Sequence, residues 1–306
     1  MFDDAQDPIA KLVHLYVDGA FNRRELISRV AGYTGSMAAA IAALGGFSEA
    51  QADNTPACPV DASVPADAPD LNVSDVQFPG DAGVIFGHLA YPKTTDTQTL
   101  PGVIVVHENR GLVEHIRDVT RRVARAGFVG LGVDLLSRQG GTQQFTDAVS
   151  QANAYSKTAQ DERRADLIAG ISYIKTLPNV QADRIGTVGF CAGGGNVWDL
   201  AVNVPELAAA VAFYGTPVPT MEQLATINSP VLANYAELDR ALTLRTAPVM
   251  TGMITLQKTF GFRIYQGVGH AFHNDTGPAY DAASSCDAWT NTIAWFNKFL
   301  RTPSAA

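Results

Sequence analysis

A cysteine stands at the point where the sequence predicts that a strand turns sharply into a helix. Residues 189–195 read Gly-Phe-Cys-Ala-Gly-Gly-Gly, which places Cys191 between two closely spaced glycines. The apolar run 184–190 predicts a buried strand, and residues 196–201 predict the start of a helix. Strand, tight turn and helix with a central nucleophile is a catalytic pattern, because the helix N-terminus favours the attacking thiolate. The same residues also fit a buried, inert cysteine.

Two later residues could complete a nucleophilic site with Cys191. Asp239 follows the apolar run 230–236, and His270 follows the strand-like run 262–266. Nucleophile, acid and histidine, in this chain order and each after a strand, is the order of the α/β-hydrolase triad. In such a triad the histidine carries the proton of the nucleophile, and the acid orients the imidazole. The order therefore predicts Cys191, His270 and Asp239 as catalytic residues.

Together with residues 107–112, His-Glu-Asn-Arg-Gly-Leu, these motifs resemble the dienelactone hydrolase family of α/β-hydrolases, over roughly residues 72–300. The resemblance implies a cysteine-dependent hydrolase of small carboxylic esters or lactones that forms a thioester intermediate. It also implies that Glu108 bonds to the cysteine at rest and takes part in its activation. A salt bridge from Glu108 to Arg110 or Arg138 is the structural alternative. We expect no cofactor.

The resemblance extends to residues that contact the substrate. The oxyanion of the tetrahedral intermediate is expected on the backbone N–H groups of Ala192 and Asn109. Arg138 matches an arginine that binds a substrate carboxylate in the family. A second such arginine corresponds by spacing to Asn274, so Arg110 is a candidate to supply the missing charge.

Other functions stay open on the same residues. The triad would also serve a broad-specificity esterase or a hydrolase of activated phosphoesters. A non-catalytic binding protein is a further alternative, and a redox role for Cys191 would require a second cysteine nearby. His273 follows His270 by three residues but lacks the other ligands of a zinc site, so we expect no metal. The histidines at positions 14, 88 and 115 are interpreted as ordinary surface or structural residues.

Composition excludes several classes of partner. The chain has 306 residues and a formal net charge of −8, and it contains no basic patch, so nucleic acid is not an expected partner. No apolar run reaches the roughly 18 residues that a membrane helix needs. The expected partner is a small ester or lactone substrate, and a homodimer is permitted.

The N-terminal 52 residues are predicted to form a helical extension. Arg23 and Arg24, the mildly apolar run 31–47 and an Ala-x-Ala at 50–52 resemble a twin-arginine export signal. The alternative is an ordered helical pair that packs on the domain or on a second subunit. Localisation is therefore either cytoplasmic or exported.

The remaining cysteines, Cys58 and Cys286, bear on the same question. They are either two free thiols in a reducing cytosol or a disulfide that requires an oxidising compartment.

The order of elements predicts an α/β fold. Residues 53–71 form a proline-rich linker, and residues 72–306 form the hydrolase domain. The domain is expected to begin with a hairpin, and from residue 101 strands and helices alternate. This alternation predicts a doubly wound, mostly parallel sheet with the α/β-hydrolase fold.

Overall fold

A mixed sheet of eight strands forms the centre of the protein in the computed structural model, which describes residues 8–37, 39–40, 58–93 and 99–301. The strands are β1 (Leu71–Gly80), β2 (Gly83–Pro92), β3 (Leu100–Val106), β4 (Val129–Val133), β5 (Val180–Phe190), β6 (Ala209–Phe213), β7 (Val231–Ala236) and β8 (Phe260–Tyr265). Their order is β1-β2-β4-β3-β5-β6-β7-β8. β2 runs antiparallel to β1 and β4, and the other pairs are parallel.

The predicted fold class and the predicted hairpin are confirmed. β4, β6 and β7 are buried along their whole length, as expected of strands that are covered by helices on both faces. The parallel strands end at the same edge of the sheet. Side chains that follow β3, β5, β7 and β8 therefore meet there.

Helices flank the sheet. They are α1 (Pro8–Val17), α2 (Arg23–Thr34), α3 (Glu114–Arg125), α4 (Ala148–Lys157), α5 (Gln160–Lys175), α6 (Ala192–Asn203), α7 (Met221–Thr226), α8 (Arg240–Thr243), α9 (Ala247–Thr255) and α10 (Ala282–Phe296). α4 and α5 are separate helices, because Glu162 accepts a hydrogen bond from the backbone N–H of Ala159 and starts α5 there. α9 ends at Thr255, and β8 follows.

The N-terminal helices pack on the domain. Leu15 and Tyr16 of α1 and Leu26 and Val30 of α2 form a small apolar core with Ala152 of α4. Asn22 and Glu25 form a reciprocal capping box at the start of α2. This packing agrees with the ordered helical pair, whereas the Ala-x-Ala of the export interpretation lies outside the described residues. Across the helices that the structure describes, none is both long and apolar enough to cross a bilayer.

Cys58 and Cys286 form a disulfide, so the free-thiol alternative is wrong for this structure. Their Cα atoms lie 5.7 Å apart. The bond joins the segment before β1 to α10.

A buried ion cluster lies beside the disulfide. Arg122 of α3 pairs with Asp61 at 2.9 Å, and also with Asp118 and Asp275. Asp61 in turn accepts a hydrogen bond from Ser285 of α10 at 2.5 Å. The described part of the predicted linker is therefore anchored to the domain through Asp61.

Candidate active site

Cys191 occupies the predicted turn between β5 and α6. Its backbone has φ 54° and ψ −120°, a strained conformation for a residue with a side chain. A Cβ on Gly189 would lie 2.4 Å from the carbonyl oxygen of Gly193, and a Cβ on Gly193 would lie 2.3 Å from that of Val106. Both positions therefore require glycine, as predicted. The lack of a side chain on Gly193 also lets the end of β3 pack closely against the turn.

His270 and Asp239 lie beside Cys191, after β8 and β7. His270 Nδ1 is 2.5 Å from Asp239 Oδ2, so the carboxylate fixes the orientation of the imidazole. His270 Nε2 is buried and has no hydrogen-bond partner among the described residues, and a ring nitrogen of His270 lies within 4.8 Å of Cys191 Sγ. The structure thus brings the three predicted residues together.

The electrostatic surroundings keep the thiol neutral at rest. Burial raises the pKa of Cys191 well above its ordinary value, and the nearby carboxyl groups of Asp18 and Glu108 add to the effect. The backbone N–H of Ala192 acts in the opposite direction, because it hydrogen-bonds to the sulfur. Burial by itself would lower the pKa of His270, but Asp239 raises it overall. Deprotonation of the sulfur therefore has to be coupled to protonation of an imidazole.

His14 of α1 is the partner of the sulfur in this structure. Its Nε2 lies 3.0 Å from Cys191 Sγ, and its ring is 4.6 Å from that of His270. Burial, and next His270, lower the pKa of His14, so it is neutral and can accept the thiol hydrogen. The sequence interpretation of His14 as an ordinary histidine is wrong. No local pattern marks it, since the contact joins residues 177 positions apart.

Asp18 follows α1 and is fully buried next to the same centre. Its backbone carbonyl accepts hydrogen bonds from Arg110 Nη2 and from Asn274 Nδ2, the latter at 3.1 Å. Among the residues that the structure describes, both carboxyl oxygens of Asp18 lack a hydrogen-bond partner. Two residues that were predicted to contact substrate, Arg110 and Asn274, therefore hold the end of α1 in this structure.

Glu108 lies in the loop after β3 and is fully buried. Asn274 Nδ2 donates to its Oε1 at 3.4 Å, and Arg110 lies 3.7 Å from its Oε2. The structural alternative of a salt bridge to Arg110 is therefore present. Within the described chain Glu108 makes no hydrogen bond to Cys191, the contact that the family resemblance implies at rest. Burial and the neighbouring Asp18 raise the pKa of Glu108 to about 7.

Arg138 is held away from these residues by acidic partners. It pairs with Asp166 at 2.8 Å and with Asp81, and Glu162 lies 3.8 Å away. These ion pairs give no support to carboxylate binding by Arg138, which stays a prediction. Asn109 lies in the loop after β3, and Ala192 begins α6. Stabilisation of the oxyanion by their backbone N–H groups stays a prediction.

The remaining histidines are structural. Nε2 of His107 accepts a hydrogen bond from the backbone of Leu135 at 2.9 Å. His273 Nε2 lies 3.2 Å from Oδ1 of Asp61. A different set of potential metal ligands converges instead, with donor atoms all within 4.8 Å of one another. This four-donor cluster consists of His14, Asp18, Cys191 and His270. It was not predicted, because two of its members lie in the extension.

The strand order is that of an α/β-hydrolase. The sequence model of the dienelactone hydrolase family matches residues 86–300, and the chain belongs to that family. It is a hydrolase that acts on ester bonds.

Individual relatives agree with this assignment. The chain is 31% identical over 249 residues to the "Putative carboxymethylenebutenolidase" of Methylorubrum extorquens, covering 78% of this chain and 84% of the relative. It is also 31% identical over 226 residues to the "Probable 2-oxo-3-(5-oxofuran-2-ylidene)propanoate lactonase" of a Bradyrhizobium species, covering 70% and 89%.

Solved structures share the fold. A "Putative Dienelactone Hydrolase" from Klebsiella pneumoniae superposes with a TM-score of 0.69 at 29% identity, covering 75% of this chain and 99% of that one. An acylaminoacyl peptidase from Pyrococcus horikoshii, 13% identical, has a TM-score of 0.61 over 78% of this chain and 43% of its own. The second likeness shows the fold alone.

Proposed function

We propose that the protein hydrolyses small carboxylic esters or lactones with Cys191 as the nucleophile, through a thioester intermediate. The observation that carries the proposal is the position of a strained cysteine within 4.8 Å of the imidazole of a histidine that is paired with an aspartate. This arrangement has the groups that acyl transfer needs, which are a nucleophile, a proton carrier and an orienting acid.

In the first half of the reaction, Cys191 Sγ attacks the carbonyl carbon while His270 Nε2 takes the thiol proton. The negative charge on the carbonyl oxygen is stabilised by the backbone N–H groups of Ala192 and Asn109. The C–O bond of the ester then breaks, and His270 returns the proton to the leaving oxygen. In a lactone that oxygen stays on the acyl chain, so the thioester carries a new hydroxyl group.

In the second half, water replaces the sulfur. His270 takes a proton from the attacking water, the C–S bond breaks, and Cys191 receives the proton as the thiol re-forms. Asp239 stabilises the imidazolium in both halves without itself becoming protonated. Because His14 is the partner of the sulfur in the structure, turnover requires the thiol to exchange that hydrogen bond for one to His270.

The preference for lactones rests on the relatives. Both curated relatives described above carry names that refer to butenolide or oxofuran compounds, which are unsaturated lactones. Arg110 is buried and lies 3.7 Å from Glu108, which supports it as the cation that binds a substrate carboxylate.

The test is intact-protein mass spectrometry after mixing the protein with an activated aryl ester. The chain has three cysteines and two form the disulfide, so an acyl group on a thiol can only be on Cys191. We expect a mass gain of one acyl group that maps to Cys191 and is absent from Cys191→Ala. Turnover of esters and enol-lactones by a folded Cys191→Ala or His270→Ala variant would contradict the proposal.

A further inference from the structure

Three separate parts of the chain supply the four-donor cluster. α1 and the turn after it bring an imidazole and a carboxyl group, the turn after β5 brings a thiol, and the loop after β8 brings a second imidazole. His14 Nε2 lies 3.0 Å from Cys191 Sγ and 3.9 Å from Asp18 Oδ2. All four donor atoms lie within 4.8 Å of one another.

These distances suit a tetrahedral ion with nitrogen and sulfur ligands. Zinc binds imidazole nitrogen at about 2.0–2.1 Å and thiolate sulfur at about 2.3 Å, which places ligand atoms about 3.3–3.8 Å apart in a tetrahedron. The distances of 3.0 Å and 3.9 Å from His14 Nε2 to the sulfur and to Asp18 Oδ2 lie just below and just above that range. Calcium and magnesium prefer sites made of oxygen atoms, so a thiol and two imidazoles disfavour them.

Unpartnered atoms of the cluster give a second, independent indication of a ligand. Both carboxyl oxygens of Asp18 and Nε2 of His270 are buried, and no described residue forms a hydrogen bond with them. Leaving a buried carboxyl group unsatisfied destabilises a fold, and native proteins rarely tolerate it. A cation at the centre of the cluster would contact these atoms directly. Its two positive charges would balance one thiolate and one carboxylate.

Neighbouring residues hold the donors in place. Asp239 bonds Nδ1 of His270 at 2.5 Å, which leaves Nε2 as the free nitrogen, an arrangement common behind metal-bound histidines. Arg110 and Asn274 hold the backbone carbonyl of Asp18. The backbone of Cys191 is fixed by its position between β5 and α6.

We propose that the four-donor cluster binds one zinc ion, which inhibits the enzyme reversibly and holds α1 over the active site. On binding, the thiol of Cys191 loses its proton to solvent and a Zn–S bond forms, with no change in oxidation state. The ion occupies the nucleophile and the proton carrier together. Hydrolysis therefore stops until the metal is removed by a chelator.

The test uses the full chain with its disulfide intact, stripped of metal and then titrated with Co²⁺ and with Zn²⁺. We expect one equivalent of tetrahedral Co²⁺ with a thiolate charge-transfer band in the near-ultraviolet, and displacement of the cobalt by zinc. Isothermal titration should give an affinity for zinc that falls at least tenfold in His14→Ala and in Asp18→Asn. Lys11→Ala, a change on the same helix that removes no donor, should bind as the wild type does.

The possible outcomes separate the metal site from the proposed hydrolase. Absence of a charge-transfer band, or a zinc affinity that is equal in the wild type and in His14→Ala and Asp18→Asn, overturns the metal site. Circular dichroism checks the fold of each variant, and His14→Gln replaces His14→Ala if the latter unfolds. Hydrolysis measured in the presence of a chelator tests the proposed function on its own. If the protein binds metal normally but does not hydrolyse the esters in the presence of a chelator, only the proposed hydrolase function is contradicted.

Discussion

The imidazole of His14 lies 3.0 Å from the sulfur of Cys191, although 177 positions separate the two residues. The helix that carries His14 belongs to the extension, and the family model begins at residue 86. A segment outside the family match therefore contacts the residue on which the proposed chemistry depends. In the structure the thiol is bonded to His14, whereas the proposed reaction requires a bond from the thiol to His270.

His14→Ala should increase the rate at which Cys191 reacts with iodoacetamide. The variant removes a hydrogen bond that contributes about 1 kcal/mol, which corresponds to about a fivefold change. It also uncovers the sulfur and leaves His270 as its nearest base. The rate can be followed by mass spectrometry with a chelator present, and Lys11→Ala serves as the control. Slower labelling in His14→Ala would mean that His14 activates the thiol rather than covering it.

Glu108→Gln should reduce the rate of acylation by at least about tenfold, a modest effect for a group that assists proton transfer. The free energy of unfolding should change little at neutral pH. Because burial raises the pKa of Glu108 to about 7, glutamine resembles the protonated form that is already populated there. Stopped-flow acylation and urea unfolding measure the two quantities. An unchanged acylation rate would limit Glu108 to its structural contacts with Arg110 and Asn274.

Replacing Cys58 and Cys286 by serine should lower the free energy of unfolding by about 2–5 kcal/mol, the range for loss of a native disulfide. The cross-link spans 228 residues and restricts the unfolded chain strongly. Urea unfolding of the wild type with and without reductant gives a second measurement of the same quantity. Cys191 remains in the variant, so ester hydrolysis reports whether the site survives. Equal stability of both forms would show that the ion cluster anchors this region by itself.

Stability should fall in acid because of Asp275. Burial would raise the pKa of Asp275, but His115 and Arg122 hold it well below its ordinary value. A lowered pKa stabilises the fold above the unfolded value of about 3.9, and the stabilisation is lost as the pH falls through the folded value.

Asp275→Asn removes this contribution. We expect the difference in unfolding free energy between wild type and variant to be largest above pH 5 and to shrink below about pH 4. Urea unfolding between pH 3 and 7 measures it, with the exposed Asp67→Asn as the control. A difference that is constant across this range would show that the carboxylate charge of Asp275 is not what stabilises the cluster.

The sequence was most informative where a local pattern had a structural reason. The glycines around Cys191 predicted the turn, because any side chain there would collide with the backbone. The runs before Asp239 and His270 predicted strands whose ends meet at one edge of the sheet. These local rules placed the three residues of the triad together without knowledge of any long-range contact.

The ion pairs of the charged residues could not be predicted from local sequence patterns. Arg138 meets Asp81 and Asp166, and Asp18 reaches the loop of Glu108, only because distant elements pack together. α1 gives no sign in its own sequence of the surface on which it docks. The spacing of its apolar residues predicts a helix and the face that is buried, but the partner of that face depends on the whole fold.

The disulfide divides the molecule into a covalent ring, from residue 58 to residue 286, an arm that precedes it and a shorter segment that follows it. A single cut of the backbone inside the ring would release no fragment. A cut between residues 40 and 58 would separate the segment that carries His14 and Asp18 from the rest of the chain. After such a cut, the contact between His14 and Cys191 would join two separate chains. Dilution would then favour dissociation of the N-terminal segment.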